Sequence, residues 1–345
     1  MATLQADSIA DLIKVTQRDL GKMKWTDAAS TLQNYVAFKN LMREKKVEFD
    51  SGYGIQWQVQ VALGGLARSV GLYQADNINV PDVMQQATIP WRHWNTAYAI
   101  ERREIAMNRD PARIVELVKI RRMTAMLDFA ELYETDFWSK PVDSTDLLKA
   151  FGVPYWIVKN TSTGFNGGNP SGFSSGAGAI SSSTYTGWAN YTFQYTLVTK
   201  DDLIRKMRKA ATFTNFMSPV DIPSYNTGND YGFYTNYNVL GKLEEALEGQ
   251  NQNLGNDVAS KDGVTMFRQN PVTWVPKLET DTSDPIYGIN WGVFAPVFLK
   301  GEYLREQGPD VSGNAHTVFQ TNVDTSGNFK CSDRRRLFVG SLNAN

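Results

Sequence analysis

Residues 47 to 138 join two patterns that are difficult to satisfy within one small domain. The arm KVEFDSGYGIQWQVQV alternates Ile55, Trp57, Val59 and Val61 with Gln56, Gln58 and Gln60, the period of a strand with one apolar and one polar face. A return arm, TIPWRHWNTAYAIERREI, runs from Thr88 to Ile105. The stretch between them, LGGLARSVGLYQADNINVPD, is too long for a tight turn and has the composition of a mobile tip. A two-stranded ribbon by itself is marginal in water. Trp57, Trp91 and Trp94 would each expose a large apolar area on it, so a neighbouring molecule is expected to cover them. The plainer alternative is a ribbon folded back on its own domain.

A long helix is predicted next. Asp110 is a good N-cap, and Pro111 sits at the first helical position, where its missing donor costs nothing. Ile114, Leu117, Val118, Met123, Met126, Leu127, Ala130 and Phe137 recur at helical spacing until Pro141 forbids continuation. Such a run is about 40 Å long. Arg113, Lys119, Arg121, Arg122, Glu131 and Glu134 occupy much of the remaining surface. A charged face is usually just solvated, yet on a strut of this length Arg121 and Arg122 are candidates to meet opposite charges on a neighbour.

Composition narrows the function classes. With 345 residues the chain has room for about two domains with real cores. Its 35 basic and 36 acidic residues leave a net charge of -1, which argues against a nonspecific coat for nucleic acid. The start, MATLQADSIADLIKV, lacks a basic region before an apolar block, and no run approaches the ~20 apolar residues of a membrane span. The chain therefore reads as soluble and unexported. The single Cys331 excludes an internal disulfide and a multi-cysteine metal site, in keeping with a reducing cytoplasm.

Ahead of the ribbon, residues 8 to 20 read as a short amphipathic helix from the Ser8/Asp11 capping pattern. A second helix is expected from Thr26 to Lys45 with Leu32, Tyr35, Val36 and Leu41 inward. After Pro141, DSTDLLKAF reads as a short helix and GVPYWIVKN as an apolar strand. The following TSTGFNGGNPSGFSSGAGAISSST is a Gly/Ser-rich loop expected to contribute no core. Thr199 and Asp202 open a helix whose acids precede Arg205, Lys206, Arg208 and Lys209, matching the helix dipole. Strands are expected around GFYTNYNV, VTMFRQNPVTWVPKL and PIYGINWGVFAPVFL, with a helix near VLGKLEEALEG. The C-terminal stretch reads as two strands about a turn at Asp324 to Asn328.

Catalytic patterns are sparse. His93 and His316 have no metal-ligand spacing to another candidate, and His93 reads as an ordinary packed or solvated side chain. Gly172, Ser174 and Gly176 match a nucleophile-elbow pattern, but within low complexity and without the flanking strand and helix it needs. No phosphate-cradling glycine motif is present. Asn226, Gly228 and Asp230, like Asp281 and Asp284, are oxygen-rich turns without the full calcium-ligand pattern. Glu244 and Glu245 are adjacent on a helix and make a poor acid/base pair. The Arg334, Arg335, Arg336 run suits a phosphate or a neighbour's carboxylate, although alternation along a strand favours a partly structural role. No catalytic, metal or cofactor site is assigned, and an enzyme is not expected.

The order of elements resembles the major capsid proteins of tailed bacteriophages, with the Hong Kong 97-type fold. The stretches that carry the resemblance are RDPARIVELVKIRRMTAMLDFAELYETDFW, GVPYWIVKN with GFNGGNPSGF, TKDDLIRKMRKAATFTNF, and DPIYGINWGVFAPVFLKG with CSDRRRLFVG. It implies an α+β chain with an N-terminal arm at 1–46 and an extended loop at 47–105. A peripheral domain at 106–195 would carry a spine helix at 110–138, an axial domain would occupy 196–300, and strands at 301–345 would complete the peripheral domain. It further implies self-assembly through pentamers and hexamers into an icosahedral virion shell enclosing double-stranded DNA, built in the host cytoplasm. The implied partners are a separate scaffolding protein, a portal and a decoration protein, with cohesion between subunits noncovalent. A cellular nanocompartment shell has the same fold. The rival from another class is a glycan-binding or glycan-hydrolysing protein using the nine tryptophans as stacking platforms.

Overall fold

The longest strand, β12 (Ala315–Cys331), is 17 residues of alternating and then continuous burial, and most of a five-stranded sheet is organised along it. In the computed structural model, residues 35–42, 46–72, 82–107, 111–216, 230–251, 265–313 and 315–342 are described. β4 (Arg92–Glu101) pairs antiparallel along one edge of β12, from Val318↔Glu101 to Gly327↔Arg92. The other edge holds β10 (Phe294–Leu299) and then β11 (Arg305–Ser312). β1 (Glu48–Asp50) extends the sheet by pairing parallel with β10.

The turn expected at Asp324 to Asn328 does not form, because these polar residues are ladder positions of β12. Asn328 is buried, its Oδ1 accepting from Phe151 N at 2.9 Å and its Nδ2 donating to Pro90 O at 2.8 Å. Gly327 marks a close approach instead of a turn, since a Cβ there would meet the Phe298 ring at 2.6 Å. Reversal occurs earlier, where Ser312 faces Ala315.

The second sheet runs β5 (Tyr191–Tyr195), β13 (Phe338–Leu342), β9 (Ile286–Asn290), β6 (Tyr231–Thr235), β8 (Asn270–Trp274) and β7 (Met266–Phe267), with mixed polarity. Of these, β5 had no counterpart in the sequence reading. Alternation buries both faces: Phe233, Ile286 and Phe338 pack against helices, while Tyr234, Tyr287 and Val339 enter the main core. The covering helices supply Leu203, Met207, Ala210, Val239 and Leu243.

The main core forms where β12 meets the long helix. Preceding that helix are α1 (Val36–Leu41) and α2 (Arg102–Met107); the helix itself, α3 (Pro111–Phe137), is 27 residues long. Its row Phe129, Tyr133 and Phe137, one turn apart, faces inward. The Trp94 ring lies 5.8 Å from that of Tyr133 and 6.0 Å from that of Phe329, while the Tyr133 and Phe329 rings meet at 4.9 Å.

The ribbon is divided. β2 (Ile55–Gln60) pairs with β3 (Met84–Ile89) as a separate two-stranded unit, and beyond Pro90 the return arm joins β12 as β4. Ile55, Val59, Ala87 and Ile89 are buried in the main core, so the chain itself covers the ribbon's base. The expectation that a neighbour must cover Trp94 is likewise corrected: it is 4% exposed inside its own core.

Three other expectations fail for physical reasons. GVPYWIVKN contains one helical turn, α4 (Val153–Trp156), with Pro154 in its first turn. The Trp156 Nε1 donates to Phe151 O at 3.0 Å, and DSTDLLKAF ahead of it is a set of turns in which Asp143 and Asp146 accept backbone amides. The Gly/Ser segment does build core: Phe173, Ala177 and Ile180 are buried in it. Gly176 adopts φ +87, where a Cβ would meet Ile180 O at 2.1 Å, so its glycines allow tight packing rather than looseness.

The remaining helices are α5 (Arg205–Thr214), entered through a π turn at Lys200–Ile204, and α6 (Tyr237–Asn251). Thr199 caps the π turn by accepting from Asp202 N at 3.3 Å. Residues 8–20 and Asp110 lie outside the described residues, as does most of the helix expected over 26–45. Its described part is α1, with Val36 and Leu41 buried.

Replacing Trp94 by Ala should destabilise the subunit by about 3–5 kcal/mol, measured as a shift in the denaturant midpoint. Trp91→Ala should cost clearly less, because Trp91 is only half-buried.

Candidate self-association surfaces

Past the last ribbon pairs, the tip has few places to bury apolar groups. Val61 N still donates to Val83 O at 3.0 Å, but Leu63 and Leu72 beyond it are 85% and 93% exposed, and Leu66 and Val70 are exposed as well. Four aliphatic side chains in so short a stretch are a patch, not isolated surface residues. A second patch, Val142, Leu147 and Leu148, follows Pro141. Its backbone is tied to the start of β4 by the Arg92 guanidinium, which donates to Asp146 O at 2.7 Å and to Lys149 O at 2.9 Å. Burial lowers the Arg92 pKa, with Asp146 opposing.

The residues expected to meet a neighbour are engaged within the chain to different degrees. Trp94 is enclosed, with its Nε1 donating to Asp136 Oδ2 at 2.8 Å. Trp57 is half-buried, its ring 6.0 Å from that of Trp156 and beneath Lys330 Nζ at 5.7 Å. Trp91, also half-buried, donates Nε1 to Gly52 O at 3.0 Å. Arg121 holds Glu104 through Nη2 at 2.8 and 2.7 Å, joining α3 to α2. The Arg122 Nε donates to Glu306 Oε1 at 2.7 Å, joining α3 to β11. These two arginines therefore already have carboxylate partners, in partly exposed pairs.

Glu134, read from sequence as part of a solvated face, is buried. Its carboxylate caps α1, accepting from Ala37 N at 2.9 Å and Phe38 N at 3.1 Å, and it also accepts from Trp138 Nε1 at 2.8 Å. Burial raises its pKa, and these hydrogen bonds only partly offset the rise. The available signal was its spacing, one turn before Trp138 and next to Tyr133.

The arginine run is structural at its first member. Arg334 is fully buried and donates to Trp156 O, Trp188 O, Gly168 O and Asn190 Oδ1 at 2.8 to 3.2 Å; burial brings its pKa down to about 10. Arg335 folds back on Asp333 at 3.2 Å, and Arg336 is buried beside Phe216. His93 Nδ1 and the buried Ser326 Oγ are 2.7 Å apart as cross-strand partners of β4 and β12. Ser174 sits among turns, without a strand before it or a helix after it. Of the oxygen-rich turns, Asn226 and Gly228 lie outside the described residues. Asp281 pairs with Lys159, and Asp284 accepts from Asn236 and Asn238 at 2.6 Å. Among the described residues, no group of His, Cys, Asp and Glu could hold a metal ion, and no helix is long and apolar enough to cross a membrane.

Solved structures similar to this chain include capsids. In the cyanophage A-1(L) capsid asymmetric unit, the similar chain is 14% identical over 94% of this chain and 98% of that chain, with a TM-score of 0.61. The capsid of the native GTA particle gives 10% identity over 94% of this chain and 96% of that one, at 0.56. The cyanophage Pam1 capsid asymmetric unit gives 12% over 100% and 99%, at 0.52. No protein-family model matches the chain, and no curated protein matches it by sequence. At such identities the likeness is one of fold. The chain has the α+β fold of tailed-phage major capsid proteins, the Hong Kong 97 type that its sequence resembles.

Because folding raises the Glu134 pKa, the native state binds this proton at a higher pH than the unfolded chain does. Stability contributed by the group is therefore full below the ordinary carboxylate range and falls as pH rises through the elevated value. Denaturant midpoints from about pH 4 to pH 8 should show this descending component in the wild type and lose it in Glu134→Gln. An identical descent in both proteins would assign it to another group.

Proposed function

We propose that the chain is the subunit of a phage capsid shell. Copies associate through the ribbon tip into pentamers and hexamers that close icosahedrally around double-stranded DNA. The observation that carries this reading is the aliphatic cluster of Leu63, Leu66, Val70 and Leu72, left uncovered on a chain with the capsid fold. A projecting apolar tip and a receiving surface elsewhere on an identical copy make a heterologous contact, and such contacts generate rings when the rotation closes. In this reading the outward faces of Trp57 and Trp91, and the Arg121 and Arg122 pairs, border the contact.

Residues 47–105 then act as the extended loop and α3 as the spine helix. The six-stranded sheet with α5 and α6 is the body of the axial domain, to which the C-terminal segment also contributes through β13. The five-stranded sheet around β12 belongs to the peripheral domain. A scaffolding protein, a portal and a decoration protein are the further partners, with assembly in the host cytoplasm and the mature location in the virion. A structural role without catalysis accords with the His93–Ser326 contact being a ladder pair.

Size-exclusion chromatography with negative-stain microscopy tests the reading. The wild type should form megadalton rings or shells. Changing Leu63, Leu66, Val70 and Leu72 to Ser should leave the circular dichroism unchanged and weaken assembly at least tenfold, because each lost burial is worth about 1.5–3 kcal/mol. A wild-type chain that stays a stable monomer at high concentration would sink the proposal.

A further inference from the structure

α5 carries a basic face that the chain does not neutralise. Its buried residues, Met207, Ala210, Ala211 and Thr214, fix the phase of the helix and leave Arg205, Arg208, Lys209 and Thr212 exposed. Positions three and four apart lie about 5–6 Å from one another on a helix, and like charges at that spacing repel. Arg268, exposed in the turn between β7 and β8, adds a further cation: its Nη2 donates to Arg208 O at 3.2 Å and to Thr212 Oγ1 at 2.5 Å. Lys209 Nζ lies 5.6 Å above the half-exposed Phe213 ring.

Several other cations of the described residues are paired with acids. Lys206 on the same helix has Asp202 at 2.5 Å, Arg121 has Glu104, Arg122 has Glu306 and Arg335 has Asp333. Arg205, Arg208, Lys209 and Arg268 have no carboxylate within 4.0 Å among the described residues, including Asp201 one turn before Arg205. In a chain of net charge -1 this is a local concentration of unmatched positive charge.

We infer that this face binds the phosphate backbone of double-stranded nucleic acid without reading its sequence. A helix of this length presents a straight face of about 15 Å, over which a duplex offers about nine phosphate charges. Guanidinium forks suit phosphate oxygens, and the Thr212 hydroxyl, which donates to Arg208 O at 2.9 Å and accepts from Arg268, holds the Arg268 side chain against the helix. An acidic protein is the poorer fit, because a stable protein interface has an apolar centre. Here the one exposed ring, Phe213, already lies under Lys209. With four cations and no base-reading element, the contact is weak, salt-labile and readily released. It is a property of the single subunit and does not require that shells form.

Fluorescence anisotropy with a short labelled duplex tests this on the full chain carrying the ribbon-tip substitutions, so that no assembled surface hides α5. The logarithm of affinity should fall against the logarithm of salt with a slope of about -3 to -4, roughly a 100-fold loss between 50 and 200 mM, independent of sequence. Arg208→Gln, Lys209→Gln and Arg268→Gln together should reduce the slope by about 3 while leaving circular dichroism unchanged. Absence of binding at low salt, or a slope that the triple variant does not alter, would overturn the inference. Polyglutamate binding as tightly as the duplex, and lost in the same variant, would overturn it in favour of an acidic protein. If the wild type fails to assemble, the shell reading falls and this result still stands.

Discussion

The contact of Trp94, Tyr133 and Phe329 brings together the return arm of the ribbon, the long helix and β12, three elements far apart in sequence. Around it Phe137 stacks on Trp291 at 5.6 Å and meets Phe329 at 5.1 Å, which draws in the loop between the two sheets. Edge-to-face and tilted ring pairs have preferred geometries that aliphatic packing lacks. Helix and sheet are thereby fixed in one relative orientation, and the base of the ribbon inherits its direction from them.

Buried polar groups carry the second level of organisation. Glu134 attaches α1 to the long helix, Asn328 joins the start of α4 to the ribbon's exit at Pro90, and Arg334 gathers carbonyls from the Gly/Ser segment and its surroundings. Each uses several donors or acceptors at once, as a buried polar group must. Removing one would leave multiple partners unsatisfied, a larger penalty than its own hydrogen bonds suggest.

The same polar residues explain where sequence reading stopped. Ile55, Val59 and the stop at Pro141 were legible because periodicity and proline chemistry act locally. Trp94 was legible as strand but not as core, since its inward face also includes Arg92, whose guanidinium is spent on two carbonyls. The turn expected at Asp324 to Asn328 followed turn-forming composition, whereas those residues act through partners more than 170 positions away. The tip aliphatics were visible as composition. The unmatched charge on α5 became visible only in three dimensions, since Arg121 and Arg122 on α3 look alike in sequence yet are paired with Glu104 and Glu306.

The placing of β12 has a consequence for how the molecule is made. Its partner β4 precedes it by more than 200 residues, and β1, equally far ahead of β10, waits for that strand to pair in parallel. During synthesis, β4 emerges long before the strand that will cover its edge, so the five-stranded sheet cannot close until β12 has left the ribosome. Long-range pairing of this kind is slow and leaves strand edges open in the meantime. Newly made chains therefore pass through an interval in which the β4 edge and the ribbon are both exposed, and order of folding before association becomes a kinetic requirement of the topology.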